Sequence, residues 1–376
     1  MKIVVFGLSI TSAWGNGHAT TFRALLKALH DRKHEVVFFE RETEWYADNR
    51  DLPDPPFCKL VLYDRWSDVL AKVRGELAHA DVGMVGSYFP DGLAALDELL
   101  DSAAAVKTFY DIDTPITIAQ LREQGSTSYV RAEQLSGVDI YFSFTGGPTL
   151  RQIEEQFGAK WASPLYCSVD PLEHRSFAIS SRFACDLSYM GTYAPDRQAK
   201  LDELLSAPAL KLPKKKFIVA GSQYPKSVHW PKNVRRQVHI NPKWHAHFYS
   251  SSRLTLNVTR REMVMAGYSP SVRLFEAAAC GAAIVSDTWP GLDEFFTPGR
   301  EILLAADAQD VARYLELPDS ELRLVGEAAR ARVLAEHTSQ IRARQFEEAI
   351  FTARRKGSHP AQAARVARQA SEVVLY

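Results

Sequence analysis

His18 is the first residue with chemistry to offer. It stands in SAWGNGHATTFRALLKAL, Ser12 to Leu29, directly behind the apolar run MKIVVFGL. A glycine-rich turn between a strand and a helix can cradle a pyrophosphate on its backbone N–H groups, or it can present a side chain to a cleft. A dinucleotide grip needs a tight G-x-G-x-x-G at the strand end. Here Gly7 ends the strand pattern, Gly15 and Gly17 come eight and ten positions later, and Thr20 stands where the third glycine belongs. Glu40 ends the second apolar run, where dinucleotide folds carry a ribose-binding acid, so NAD-dependent oxidoreduction stays open as an alternative. In the other reading Asn16 and Gly17 let the loop fold back. His18 then sits at the mouth of a cleft, beside a helix start, as a general base for a hydroxyl. A histidine that only caps or packs on the turn competes with both.

The second candidate is FYDIDTPIT. Asp111 and Asp113 follow the apolar run Val106 to Tyr110, and Pro115 stops the strand from continuing. Strand alternation sends both carboxylates to one side, where they can orient sugar hydroxyls, act as base or hold a divalent cation. The alternative is that one caps the following helix and the other is solvated.

The third is SPSVRLFEAAACGAAIVSD. Ser269, Pro270 and Ser271 lead into a short helix carrying Arg273 and Glu276, closed by Gly281 and followed by the strand Ala282 to Ser286. The helix N-terminus offers N–H groups to a phosphate. Arg273 can add a charge-assisted contact, and Glu276 can accept two hydrogen bonds from vicinal ribose hydroxyls. As pure pattern it is also any strand–helix unit, with an acid that suits the helix dipole.

These residues need a frame that brings strand ends together. KIVVFG, EVVFFE, KLVLY, DVGMVG, VKTFYD and VDIYFSF read as buried strands with amphipathic helices between them; CDLSYMG, KKFIVAG, RLTLNVT, AAIVSD and EILLA form a second series. That alternation is the mark of an α/β protein with two Rossmann-like, doubly wound domains, whose carboxyl strand ends face each other across a cleft. The periodicity lapses over Ser163 to His174, the expected connection. After Asp307 the pattern is helical, and GSHPAQAARVARQASEVVLY reads as a loosely attached end.

Composition narrows the function. The chain has 376 residues, enough for two cores, and 45 Lys+Arg balance 45 Asp+Glu, which gives no pull towards nucleic acid or an anionic membrane. No apolar run spans a membrane and the first residues lack a signal pattern, so a cytoplasmic protein is expected. Cys58, Cys167, Cys185 and Cys280 are scattered without metal or disulfide spacing. KLPKKKF reads as a solvated edge. VHWPKNVRRQVHINPKWHAHF mixes aromatics and cations that can stack on a base or simply pack, and its His245 and His247, two apart in a helix, make a poor metal pair.

VRLFEAAACGAAIVSDTWPGLDEFFTPGREI, together with FYDIDTP, SFTGGP, PLYCSVDP and YMGTYAPDRQ, resembles GT-B fold glycosyltransferases, and within them the CgeB-like group named after a spore maturation protein. The resemblance runs from about Lys2 to Glu348. It implies a hexosyltransferase that takes a nucleoside-diphosphate sugar, UDP or dTDP type, as donor substrate and a glycan, protein or small-molecule hydroxyl as acceptor. No cofactor, metal or nucleic acid is implied. Residues 1–165 would be the acceptor side, 166–340 the nucleotide-sugar domain, and 341–376 a crossing helix and tail. Glu276 matches the glutamate that holds the donor ribose, Gly191 and Thr192 the loop near the diphosphate, with Arg197 a phosphate neighbour. Retaining relatives carry a second glutamate eight residues earlier, where this chain has Tyr268, so no stereochemical outcome carries over. His18, Asp111 and Asp113 are rival bases, with Asn16 and Gly17 in the cleft loop. A regulatory protein that binds the nucleotide sugar without turnover is the alternative from another class.

Overall fold

The computed structural model describes residues 1–15 and 17–372, with side chains as far as Lys356. Asn16 and the side chains of the expected loose end, Gly357 to Tyr376, lie outside the described residues. The first sheet consists of β1 (Lys2–Phe6), β2 (Glu35–Arg41), β3 (Lys59–Tyr63), β4 (Val82–Gly86), β5 (Val106–Asp111), β6 (Ile140–Ser143) and β7 (Ala162–Pro164), in the order β3-β2-β1-β4-β5-β6-β7. The second consists of β8 (Cys185–Met190), β9 (Phe217–Ala220), β10 (Val234–Gln237), β11 (Ser252–Asn257), β12 (Ala283–Ser286) and β13 (Leu303–Leu304), in the order β10-β9-β8-β11-β12-β13. Pairing is parallel in both. Each order reverses direction beside its first strand, between β1 and β4 and between β8 and β11, and ligands settle at such switch points.

The strands form where helices cover both faces. Ile3 to Phe6 of β1 are fully buried, and so are Leu187 of β8 and Val219 of β9. Every apolar run read as a strand is one. The two strands that the reading misses, β7 and β10, are edge strands. Pro164 ends β7, where a missing N–H costs nothing, and β10 is polar with only Val234 buried. Between Pro164 and Cys185 the chain changes domains: Asp170 takes an ion pair from Lys27 of the first domain at 2.6 Å, and the Ser176 hydroxyl donates to the Cys280 carbonyl of the second at 2.9 Å.

The last helix, Ser339–Glu372, returns to the first domain. Glu347 accepts from Arg32 at 2.8 Å and lies 2.6 Å from His34, Phe346 packs on Phe142 with ring centroids 5.4 Å apart, and Arg354 pairs with Asp81. Just ahead of it His337 stacks on Phe275 at 4.4 Å and receives the Arg342 guanidinium on Nδ1 at 2.6 Å. Among the described residues no helix is long and apolar enough to cross a membrane.

Phe346→Ala should lower the unfolding free energy by about 3–5 kcal/mol, read as a lower urea midpoint. Burial, with the Arg342 and Arg332 cations, pushes His337 down to about 3. A depressed histidine contributes stability that is present above the unfolded value of about 6.5 and lost as pH falls towards the folded one. Urea midpoints measured from pH 7 down to pH 4 should therefore fall more steeply in the wild type than in His337→Gln. Parallel curves would contradict this.

Candidate functional site

The second-domain wall is built at the ends of β8, β9 and β11. Gly191 and Gly221 follow β8 and β9, and their backbones approach so closely that a Cβ on Gly221, which has φ +144°, would lie 1.9 Å from the Gly191 carbonyl oxygen. A Cβ on Gly191 would lie 2.6 Å from the Tyr189 hydroxyl and 2.9 Å from Arg273 Nη2. Gly221 must be glycine, and a side chain at Gly191 would push Tyr189 and Arg273 aside. Arg273, in the helix Val272–Ala279, reaches back to this loop: Nε donates to the Met190 carbonyl and Nη1 to Asn257 Oδ1 at 2.8 Å. Ser271, just before that helix, donates to the same Asn257 oxygen at 2.9 Å.

Arg197 donates from Nη2 to the Thr192 carbonyl, while its Nε is buried without a hydrogen-bond partner. Arg260, three residues beyond β11, likewise has a buried Nε with no hydrogen-bond partner and stands 3.7 Å from Asp196. Burial weakens the hold of Arg197 on its proton, and the Arg273 and Arg260 charges weaken it further despite nearby tyrosines. Three guanidiniums gathered around one spot can receive an anion.

Below them Glu276 is buried. Tyr249 donates to its Oε2 at 3.4 Å, and Oε1 lies 3.6 Å from His174 Nε2. Desolvation pushes its carboxyl up, opposed by His245 and Arg273. His174, His245 and Glu276 bring one donor atom each within 4.8 Å of one another. Spacing alone gives His245 only His247 as a neighbour. His247 instead packs on Phe177, and the real companions of His245 come from distant segments.

The first-domain wall is the start of the helix Gly17–Asp31 and the end of β5. His18 is second in that helix, its Nε2 lies 3.4 Å from Asp113 Oδ2, and its ring meets Tyr88 edge-on at 5.5 Å. Asp113 and Asp111 do not share a side as strand alternation suggested. The strand stops at Asp111 and the chain turns, with Asp113 preceding the helix Thr114–Gln124. Asp111 is fully buried and accepts from the Tyr141 hydroxyl, from Thr117 Oγ1 at 3.0 Å and from the Asp113 N–H at 3.1 Å. Burial pushes it up to about 6, against those hydrogen bonds. It holds the turn that aims Asp113 and does not itself border the cleft.

Glu40 also departs from its expected place. It is buried and turned into the loop after β1, where it accepts from the N–H groups of Ile10 and Thr11 at 2.6 and 3.1 Å and from the Ser9 and Thr11 hydroxyls at 2.8 and 2.6 Å. The loop that would grip a dinucleotide is thus filled by a carboxylate of the chain itself.

The two walls enclose one cleft of about 590 Å³. Gly17, His18 and Asp113 border it from the first domain; Gly191, Thr192, Arg197, Ser271, Arg273 and Glu276 border it from the second. Arg260 and His245 line it as well; sequence reasoning missed Arg260 and read His245 only as part of a stretch that could stack on a base, and as a poor metal partner of His247. Arg260 had a positional signal, since it follows a strand's carboxyl end; nothing in the sequence pairs His174 with His245. Trp14 lies against His239, which lines the cleft, with ring centroids 4.0 Å apart. Tyr268 has φ +48° and lies between the domains, its ring against Gly147 and Gly291.

A search of curated proteins by sequence returns no match. Residues 197–348 match the family described as glycosyl transferase-like. Among solved structures, sucrose-phosphate synthase from Thermosynechococcus elongatus superposes with a TM-score of 0.67 at 14% identity, covering 92% of this chain and 97% of that one. Anabaena Alr3699/HepE in complex with UDP-glucose superposes with 0.64 at 12% identity, covering 94% and 100%. An alpha-glucosyltransferase in complex with UDP and a 13-mer DNA containing a HMU base superposes with 0.65 at 13% identity, covering 93% and 99%. The chain therefore has the two-domain α/β fold of GT-B glycosyltransferases, and its second domain carries the match to the glycosyl transferase-like family.

Proposed function

We propose that the chain is a metal-independent glycosyltransferase that moves a hexosyl group from a nucleoside-diphosphate sugar, UDP or dTDP type, to a hydroxyl acceptor in the cytoplasm. The observation that carries this reading is the opposition, across one cleft, of a histidine–carboxylate pair to three arginines and a buried glutamate. Arg197, Arg260 and Arg273 hold the diphosphate and stabilise it as it leaves, the work a divalent cation does elsewhere. The Gly191–Thr192 backbone and Ser271 border that place, and Glu276 accepts from the ribose hydroxyls. His18 takes the proton of the acceptor hydroxyl, with Asp113 fixing the ring and Asp111 fixing Asp113. The helix Ser339–Glu372 ties the walls together. All four cysteines are free thiols, which suits a reducing compartment.

The carboxylate-filled β1 loop argues against NAD. A nucleic-acid acceptor is disfavoured because the cations flanking the carboxyl ends of β1 and β2 are neutralised: Arg23 by Asp51, Arg50 by Glu42 and Arg41 by Asp91, at 2.8, 2.6 and 3.1 Å.

UDP or its sugars at 100 times the dissociation constant should stabilise the protein by about 2.7 kcal/mol in a thermal-shift panel, and NAD should not. His18→Ala should cut transfer by about 100-fold or more while leaving UDP affinity intact; an unchanged rate would move the base to Asp113. Arg260→Ala should weaken UDP binding roughly tenfold to a hundredfold by calorimetry, the worth of a charged hydrogen bond. Stabilisation by UDP sugars without hydrolysis or transfer would make the chain a regulatory nucleotide-sugar binder.

A further inference from the structure

We propose that His174, His245 and Glu276 form a binding site for a divalent transition-metal ion, Zn²⁺ by ligand type, and that an ion there excludes the nucleotide ribose. Two imidazoles and one carboxylate are a recurrent zinc ligand set that leaves a fourth position open. They come from three separate segments: the connection after β7, the first turn of the helix His245–Ser250 and the helix Val272–Ala279. Their donor atoms lie within 4.8 Å of one another, and the Oε1 to Nε2 distance is 3.6 Å. Zinc bonds of about 2.0–2.2 Å put tetrahedral donors roughly 3.3–3.6 Å apart, so the site closes with side-chain shifts of about 1 Å.

The surroundings fit a metal. His245 Nε2 lies 3.1 Å from the Ile240 carbonyl, the outer contact that a zinc-bound imidazole makes, which leaves Nδ1 for the ion. Tyr249 engages Oε2 of Glu276 and leaves Oε1. Nδ1 of His174 is buried with no hydrogen-bond partner, so hydrogen bonding does not tie that ring to one orientation. The nearby cation, Arg273, donates from Nε to the Met190 carbonyl and from Nη1 to Asn257, not to Glu276. Since His245 and Glu276 line the cleft, the open position faces the place that the donor reading gives to the ribose. The exclusion rests on that reading of Glu276; the metal site does not.

The test is calorimetric titration of Zn²⁺ into the chelator-treated full chain, with and without UDP, for wild type, His174→Ala and His245→Ala, each checked for a native melting transition. One ion per chain is expected, with affinity about tenfold to a hundredfold lower in each variant. Once the Zn²⁺–UDP complex in free solution is accounted for, UDP and Zn²⁺ should weaken each other by the same factor, as linkage demands. Co²⁺ in place of zinc should give tetrahedral visible absorption that the variants lose, a readout that a histidine serving only to orient Glu276 would not produce. Absence of 1:1 binding, or wild-type zinc affinity in both variants, overturns the site. Zinc binding at these histidines with UDP affinity unchanged overturns the exclusion alone. If UDP does not bind at all, the donor reading fails while the zinc isotherm still decides the metal site.

Discussion

The carboxyl ends of two parallel sheets are held face to face, and everything chemical in this protein depends on that registration. Contacts between the domains keep it, within one buried apolar cluster that draws on both. The Gly146 N–H donates to the Tyr268 carbonyl at 2.9 Å, Thr145 and Ser269 share a hydroxyl contact at 2.9 Å, and Trp14 lies against His239. Behind them the helix Ser339–Glu372 leaves the second domain and packs on the first. The segment from Tyr268 to Glu276 is therefore both part of the domain junction and part of the wall that the donor reading uses. Tyr268 adopts a left-handed backbone that a bulky residue does not choose freely, and it is kept there by glycine on either side, Gly147 and Gly291. A displacement at this junction would move the Val272–Ala279 helix directly.

Charge distribution explains why the cleft calls for a ligand. A buried guanidinium with unspent donors is costly unless something anionic meets it. Arg197 and Arg260 each keep a buried Nε without a hydrogen-bond partner, and Arg273 stands beside them. Their donors are met only in part, by the Thr192 and Met190 carbonyls, by Asn257 and, for the half-exposed Arg260, by Asp196. A diphosphate would satisfy all three. On the facing wall the anions are instead spoken for: Asp111 is held by Tyr141, Thr117 and a backbone N–H, and Asp113 lies against His18. The polarity across the gap runs from cationic to proton-accepting, the arrangement that suits a departing phosphate on one side and an attacking hydroxyl on the other.

Much of this frame was legible in the sequence, because a buried parallel strand writes itself as an unbroken apolar run and a covering helix as a 3.6-residue period. That was enough for the interior strands of both sheets. It failed at β7 and β10, whose edge positions relax the demand for apolar residues. It also failed at Asp111, since alternation holds only while the strand lasts, and the strand ends at that residue. The candidate site was legible where its parts are local, as with Arg273 and Glu276 on one short helix. His174 and His245 come together only when the connection after β7 packs beside two helices, and nothing in their own neighbourhoods announces it. Glu40 marks the opposite case: a residue whose position suggested a cofactor, and whose side chain fills the place the cofactor would need.

The most direct measurement is a crystal structure of the protein with a bound UDP sugar. The account predicts the diphosphate among Arg197, Arg260 and Arg273, the ribose hydroxyls on Glu276, and the anomeric carbon open towards His18. A nucleotide bound in the loop after β1, or one whose sugar points away from the first domain, would contradict it.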